Sequence, residues 1–81
     1  MRLDKYLKVS RLIKRRTVAN EACDAGRVSV NGKKARASYD VKVGDKITIS
    51  FGEKAVSLEV TAVKETVKKD DADLLYKLIS V

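Results

Sequence analysis

The sequence predicts an α+β fold in which two short N-terminal helices pack on a small antiparallel β-sheet, followed by a short C-terminal helix or strand. Three observations point there. Apolar residues recur at helical spacing over the first 25 positions, and from Val28 to Val60 the period changes to two. The chain has no proline and four glycines, each glycine standing where the apolar pattern breaks. Its 81 residues make a single domain near the small end for independent folding, and an aromatic content of 5% leaves Val, Leu, Ile and Ala to build the core.

Taking the elements in order, residues 3–12 drawn at helical spacing place Leu3, Tyr6, Leu7 and Ser10 on one side. Lys5 and Lys8 fall opposite them, and Arg2 and Arg11 lie at the two flanks of the apolar face. Thr17 follows, a residue whose hydroxyl can accept from the free N–H groups of a first helical turn, so a second helix is expected over residues 17–25. Val18, Ala19, Ala22 and Cys23 share its apolar face, with Asn20, Glu21 and Asp24 on the other. Gly26 stands at the left-handed position that ends such a helix. Cys23 is expected to be a packing residue and Tyr6 a core residue, with Tyr39 a loop contact.

Val28 and Val30 alternate with Ser29 ahead of Asn31-Gly32, a pair suited to a two-residue hairpin turn. Asp40 to Asp45 leads through Gly44 into Ile47, Ile49 and Phe51, which alternate with Thr48 and Ser50. After Gly52, Val56, Leu58 and Val60 alternate with Ser57 and Glu59, so a second hairpin with one buried face is expected. In the tail, Asp70, Asp71 and Asp73 precede Leu74 and Leu75 as acids precede a helix start. Leu78, Ile79 and Val81 fit either an extension of that helix or a last short strand, and the segment is expected to cover the open face of the sheet.

The charge is unevenly placed. Residues 1–36 carry eleven basic and three acidic side chains, a net of +8, and they include all six arginines. Residues 37–81 carry seven lysines and eight acids, a net of −1. A basic surface serving only solubility would be spread along the chain, so the asymmetry implies a polyanionic partner docking on the N-terminal half. Lys14, Arg15 and Arg16 fall directly before the second helix, where unpaired N–H groups and the helix dipole favour a phosphate. Three consecutive cations at a helix start are costly unless an anion offsets them, and a guanidinium supplies planar, paired donors for phosphate oxygens. Lys33, Lys34 and Arg36 crowd the returning limb of the first hairpin beside its turn.

Other classes fit less well. One cysteine and no histidine exclude a disulfide framework and a transition-metal centre, so no cofactor is expected. No apolar run reaches the roughly 20 residues that span a bilayer, and the N-terminus has no signal-peptide core, so a cytoplasmic protein without a membrane partner is expected. Asp70, Asp71 and Asp73 lack the further ligands a metal cluster needs. A DNA-reading helix is disfavoured because the second helix exposes Asn20, Glu21 and Asp24 while the cations precede it. The paucity of aromatic platforms favours structured RNA over single strands.

The run Arg2-Leu3-Asp4-Lys5-Tyr6-Leu7, then Arg11, Lys14-Arg15-Arg16-Thr17, Ala22, Gly26, Val28 and Val30-Asn31-Gly32-Lys33, resembles the RNA-binding domain family named after small-subunit ribosomal protein S-four. Asp40-Val41 and Val43-Gly44-Asp45-Lys46-Ile47 continue the likeness, which covers residues 1–51 and leaves 52–81 as a further strand and an acidic C-terminal segment. The family pattern has a Pro-Ser pair near Ala37-Ser38, of which this chain keeps the serine alone. Its stand-alone length resembles the ribosome quality control branch of the family, a relative of heat-shock protein fifteen, whose members carry a longer basic C-terminal extension. The resemblance implies a non-enzymatic, monomeric protein that binds obstructed large ribosomal subunits and contacts 23S rRNA and the P-site tRNA. It implies RqcH as the partner that adds alanine to the stalled chain, with general ribosomal-subunit rescue of the heat-shock type as the alternative. By matching position, Arg2 and Arg16 are the main RNA-gripping residues; Arg11, Lys14, Arg15, Lys33 and Lys34 join them on charge and placement.

Overall fold

The structure is a computed structural model that describes residues 1–64 and 74–80. Two helices, α1 (Leu3–Val9) and α2 (Arg16–Asp24), precede five strands: β1 (Val28–Val30), β2 (Lys33–Lys34), β3 (Lys46–Phe51), β4 (Lys54–Val60) and β5 (Tyr76–Ser80). The strands form one sheet in the order β2-β1-β3-β4-β5, antiparallel throughout. This is the α+β architecture expected from the sequence, with the C-terminal alternative resolved as a strand. The acids Asp70, Asp71 and Asp73 lie outside the described residues.

The apolar stripe of α1 is buried as its spacing requires: Leu3, Tyr6 and Leu7 are inaccessible to solvent and Ser10 is buried with them. The helix stops at Val9, earlier than expected, because Arg11 adopts a left-handed backbone (φ 63°). That turn lets the Ile13 N–H donate to the Leu7 carbonyl (3.1 Å) and tucks the Ile13 side chain into the core.

The second helix is shifted by one residue from its expected position. Arg15 is its extended N-cap (φ −122°, ψ 134°), with no side-chain cap, so Thr17 lies within the first turn and does not cap it. Ala19 and Cys23 are buried, whereas Val18 is 47% exposed, a correction to its place on the apolar face. Asn20, expected on the exposed side, turns inward because its amide donates to Asp4 across the helix pair (3.3 Å). At the other end the expected glycine stop is present. Gly26 (φ 75°) donates to the Cys23 carbonyl and Arg27 to the Ala22 carbonyl, the paired bonds of a left-handed helix stop.

The sheet follows the period-two reading closely. Asn31 (φ 53°) and Gly32 (φ 84°) form the two-residue turn that pairs Val30 with Lys33. Val28, Val30, Ile47, Ile49, Leu58 and Val60 are buried on the helix-facing side of the sheet, and Ser29, Thr48 and Ser57 form a cross-strand row on the other. Phe51, at the end of β3, is 49% exposed. The C-terminal strand joins the sheet edge beside β4 and does not lie across a face. Leu75, just ahead of it, is buried, and its carbonyl accepts from the Tyr6 hydroxyl (2.7 Å), which ties the two ends of the chain together.

Candidate nucleic-acid interface

The connection from α1 to α2 and the N-terminal segment bring the first cations to one place. Arg2 precedes α1 in an extended conformation, bridged to Asp40, while the Leu3 N–H donates to the Tyr39 carbonyl (2.8 Å) and Val41 donates to the Met1 carbonyl (2.8 Å). The backbone of Arg2 is thereby held between α1 and the loop at 37–41. That loop lacks the family's proline and instead closes a turn with a hydrogen bond from Tyr39 N–H to the Arg36 carbonyl (3.0 Å), with Ala37 buried beneath it.

Asp4 is the centre of this corner. Its side chain is 3% exposed, whereas those of Arg2 and Arg16 are about half exposed. The Arg2 guanidinium donates through Nε to Oδ1 (3.2 Å) and through Nη2 to Oδ2 (3.4 Å). Nε of Arg16 lies 3.5 Å from Oδ2. The Asn20 amide (3.3 Å) and the backbone N–H of Lys5 (2.8 Å) complete the carboxylate's shell. Burial alone would raise the Asp4 pKa, but hydrogen bonds from Asn20, Arg2 and Lys5 N–H, together with the charge of Arg16, hold it below the usual carboxylate value. Sequence reasoning placed Arg2 and Arg16 in the site but missed Asp4 and Asn20. The available signal was an acid two residues after Arg2, within a basic run and beside an apolar stripe.

A second cluster sits at the first hairpin. Lys33, Lys34 and Arg36 line a groove with Ser38 and Tyr39, all but Tyr39 being exposed. Arg36 stands beside the hairpin lysines as the sequence places it, although it was not counted among the RNA-binding residues. The hairpin is fixed by a polar network: Asn31 donates to Asp45 Oδ1 (3.1 Å), Tyr39 donates to Oδ2 (2.9 Å), and the Lys42 N–H donates to Oδ2 (3.0 Å). Burial pushes the Asp45 carboxyl up, and these three donors outweigh it and bring the pKa below normal. The Tyr39 hydroxyl is thus engaged within the chain by Asp45.

Arg11, Lys14 and Arg15 are exposed in the turn between the helices. Among the described residues no ion pair joins them to the Arg2–Asp4–Arg16 corner or to the hairpin lysines. Cys23 is buried, and desolvation first, then the charges of Asp4 and Asp24, push its thiol up to about 11, so it remains protonated and inert as expected of a packing residue.

Two short helices on a five-stranded antiparallel sheet, with cations gathered where the helices meet, define a small basic α+β domain. The chain belongs to the S4 domain family, whose model matches residues 1–47. It is 59% identical to the RQC P-site tRNA stabilizing factor of Halalkalibacterium halodurans, over 96% of this chain and 89% of that protein. The protein of the same name from Bacillus subtilis is 56% identical over 98% of this chain and 92% of its own length. Among solved structures, trimeric heat shock protein 15 of Vibrio cholerae superposes with a TM-score of 0.90 at 28% identity, covering 99% of this chain and 82% of that one.

Proposed function

We propose that this protein is a non-enzymatic RNA-binding factor of bacterial ribosome quality control, which steadies the P-site tRNA on obstructed large ribosomal subunits. The observation that carries this reading is similarity along nearly the whole chain to proteins named for stabilising that tRNA. The exposed cations of the N-terminal half supply a chemistry suited to it: guanidinium and ammonium groups facing solvent, held on a rigid helix pair and hairpin, match phosphate oxygens of folded RNA. In this reading Arg2, Arg11, Lys14, Arg15, Arg16, Lys33 and Lys34 contact 23S rRNA and tRNA. Residues 1–51 form the RNA-binding core, and 52–81 add a second hairpin strand and an acidic C-terminal segment. The protein acts in the cytoplasm as a monomer that grips and releases the subunit while RqcH adds alanine to the nascent chain.

The likeness to heat shock protein 15 favours a second reading, general rescue of ribosomal subunits. Sedimentation of the tagged protein through a sucrose gradient of bacterial lysate separates the two. Migration with large subunits that carry peptidyl-tRNA and RqcH, lost in an Arg2→Ala/Arg16→Ala variant, is the expected result. Migration with subunits lacking RqcH favours the rescue reading. Retention of both proteins at the top of the gradient removes the ribosome from the account.

A further inference from the structure

We infer that Asp4 is a positioning residue for RNA binding: its buried carboxylate holds the Arg2 and Arg16 guanidiniums side by side with their outer N–H groups free for phosphate. The inference rests on the RNA-binding reading above and adds to it a residue of opposite charge. Arg2 is hydrogen-bonded to Asp4 through Nε and Nη2, and Arg16 is ion-paired to it with Nε 3.5 Å from Oδ2, so both guanidiniums turn their Nε side to the carboxylate. Among the described residues Nη1 of Arg2 and both Nη groups of Arg16 make no hydrogen bond or ion pair, which leaves them for a ligand. The two arginines come from different elements, one before α1 and one at the start of α2, and Asp4 is the group that both touch. Asn20 and the Lys5 N–H fix the carboxylate itself, so the pair is aligned before any RNA arrives.

Two physical effects oppose each other here, and their signs differ. A carboxylate within 3.5 Å of both guanidiniums weakens the positive potential that phosphate meets. If potential alone governed binding, removing the charge would tighten it. An unanchored arginine, however, must surrender the freedom of a long side chain when it binds, and two such losses are avoided when the rotamers are already set. The same contacts also support folding, because a buried carboxylate without its donors is costly, so binding and stability have to be measured side by side.

The test is binding of purified bacterial large ribosomal subunits carrying P-site peptidyl-tRNA by wild type, Asp4→Asn, Arg2→Ala/Arg16→Ala and the triple variant, with thermal melting to confirm folding. Asp4→Asn keeps the shape, and its amide oxygen can still accept from Arg2 Nε and Lys5 N–H, but its NH2 group then faces the donors Arg2 Nη2, Asn20 and Arg16. It is expected to weaken binding roughly tenfold, the scale of freezing two long side chains on association. In the Arg2→Ala/Arg16→Ala background the same change is expected to have no effect. Binding by Asp4→Asn as tight as or tighter than wild type overturns the inference, as does an equal loss in both backgrounds. If the double arginine variant binds like wild type, the RNA site itself is misplaced and the inference falls with it. A second measurement needs no variant: the Nε–H resonance of Arg2 in the free protein, hydrogen-bonded to Asp4, should be resolved and exchange more slowly than those of Arg11 and Arg15. An averaged, fast-exchanging Arg2 signal would also overturn the pairing.

Discussion

Asp4 and Asp45 carry one stability consequence, because each is a carboxylate whose donors lower its pKa below 3.8 in the fold. A depressed folded value means the unfolded chain binds protons more readily at low pH. The stabilisation from both groups is therefore fully present above the unfolded pKa and disappears as pH falls through the folded values. Urea midpoints should hold from neutral pH to about pH 5 and fall steeply below about pH 4. Asp4→Asn should flatten part of that fall. Tyr6 is a complementary case in the core. Its hydroxyl donates to the Leu75 carbonyl, which also accepts from Thr61 N–H (2.9 Å), so Tyr6→Phe leaves that carbonyl bonded. The expected cost is about 0.5–1.5 kcal/mol in chemical denaturation. Leu7→Ala, which empties a fully buried site, should cost about 2–5 kcal/mol with RNA binding untouched.

Gly26 joins α2 to β1 and shows how the elements constrain one another. Its φ of 75° suits glycine, and a Cβ placed there would stand 3.3 Å from Cδ of Lys34, whose aliphatic stem crosses the helix stop. Gly26→Ala is expected to lower stability by about 1–2 kcal/mol, the cost of a left-handed alanine, and to displace Lys34 from the groove it lines. Gly32→Ala would meet no atom within 4 Å, so only the backbone cost applies. Thermal melts of the two variants, with the Lys34 side-chain resonances followed by NMR, separate these contributions. The glycine stop, the Asn31-Gly32 turn and the alternating strands were legible because each is set by local chemistry. The start of α2 was not, since Thr17 offers a cap that the chain declines when Arg15 takes the extended conformation. Val18 and Asn20 were exchanged in the helix wheel for a related reason: the partner of Asn20 is Asp4, sixteen residues away. The C-terminal strand was equally hidden, because its pairing with β4 is a long-range event that periodicity does not report.

Across the whole molecule, the charge split maps onto the architecture. The +8 of residues 1–36 lies on α1, α2, the first hairpin and the turns that join them, whereas the described residues from 37 onward carry five lysines against four acids. The described body measures 29 × 25 × 20 Å, a size over which cations spread across the helix pair and the hairpin can meet several phosphates at once. Phosphate contacts of this kind position an RNA-binding protein and make its affinity depend on released counterions. With five or six of the proposed cations engaged, a plot of log affinity against log salt should have a slope of about −4.5 to −5.5, by analogy with duplex nucleic acid. Arg2→Ala/Arg16→Ala should weaken binding and reduce the steepness of that slope by about 2, since each missing guanidinium leaves one phosphate with its counterions. Asp4→Asn should weaken binding while leaving the slope within about 1 of wild type, because the cations remain and only their alignment is disturbed. Filter-binding titrations of the three proteins against large subunits over a range of potassium concentrations distinguish these cases. Equal slopes for wild type and the double arginine variant would remove Arg2 and Arg16 from the phosphate-binding set and shift the site toward the hairpin groove of Lys33, Lys34 and Arg36.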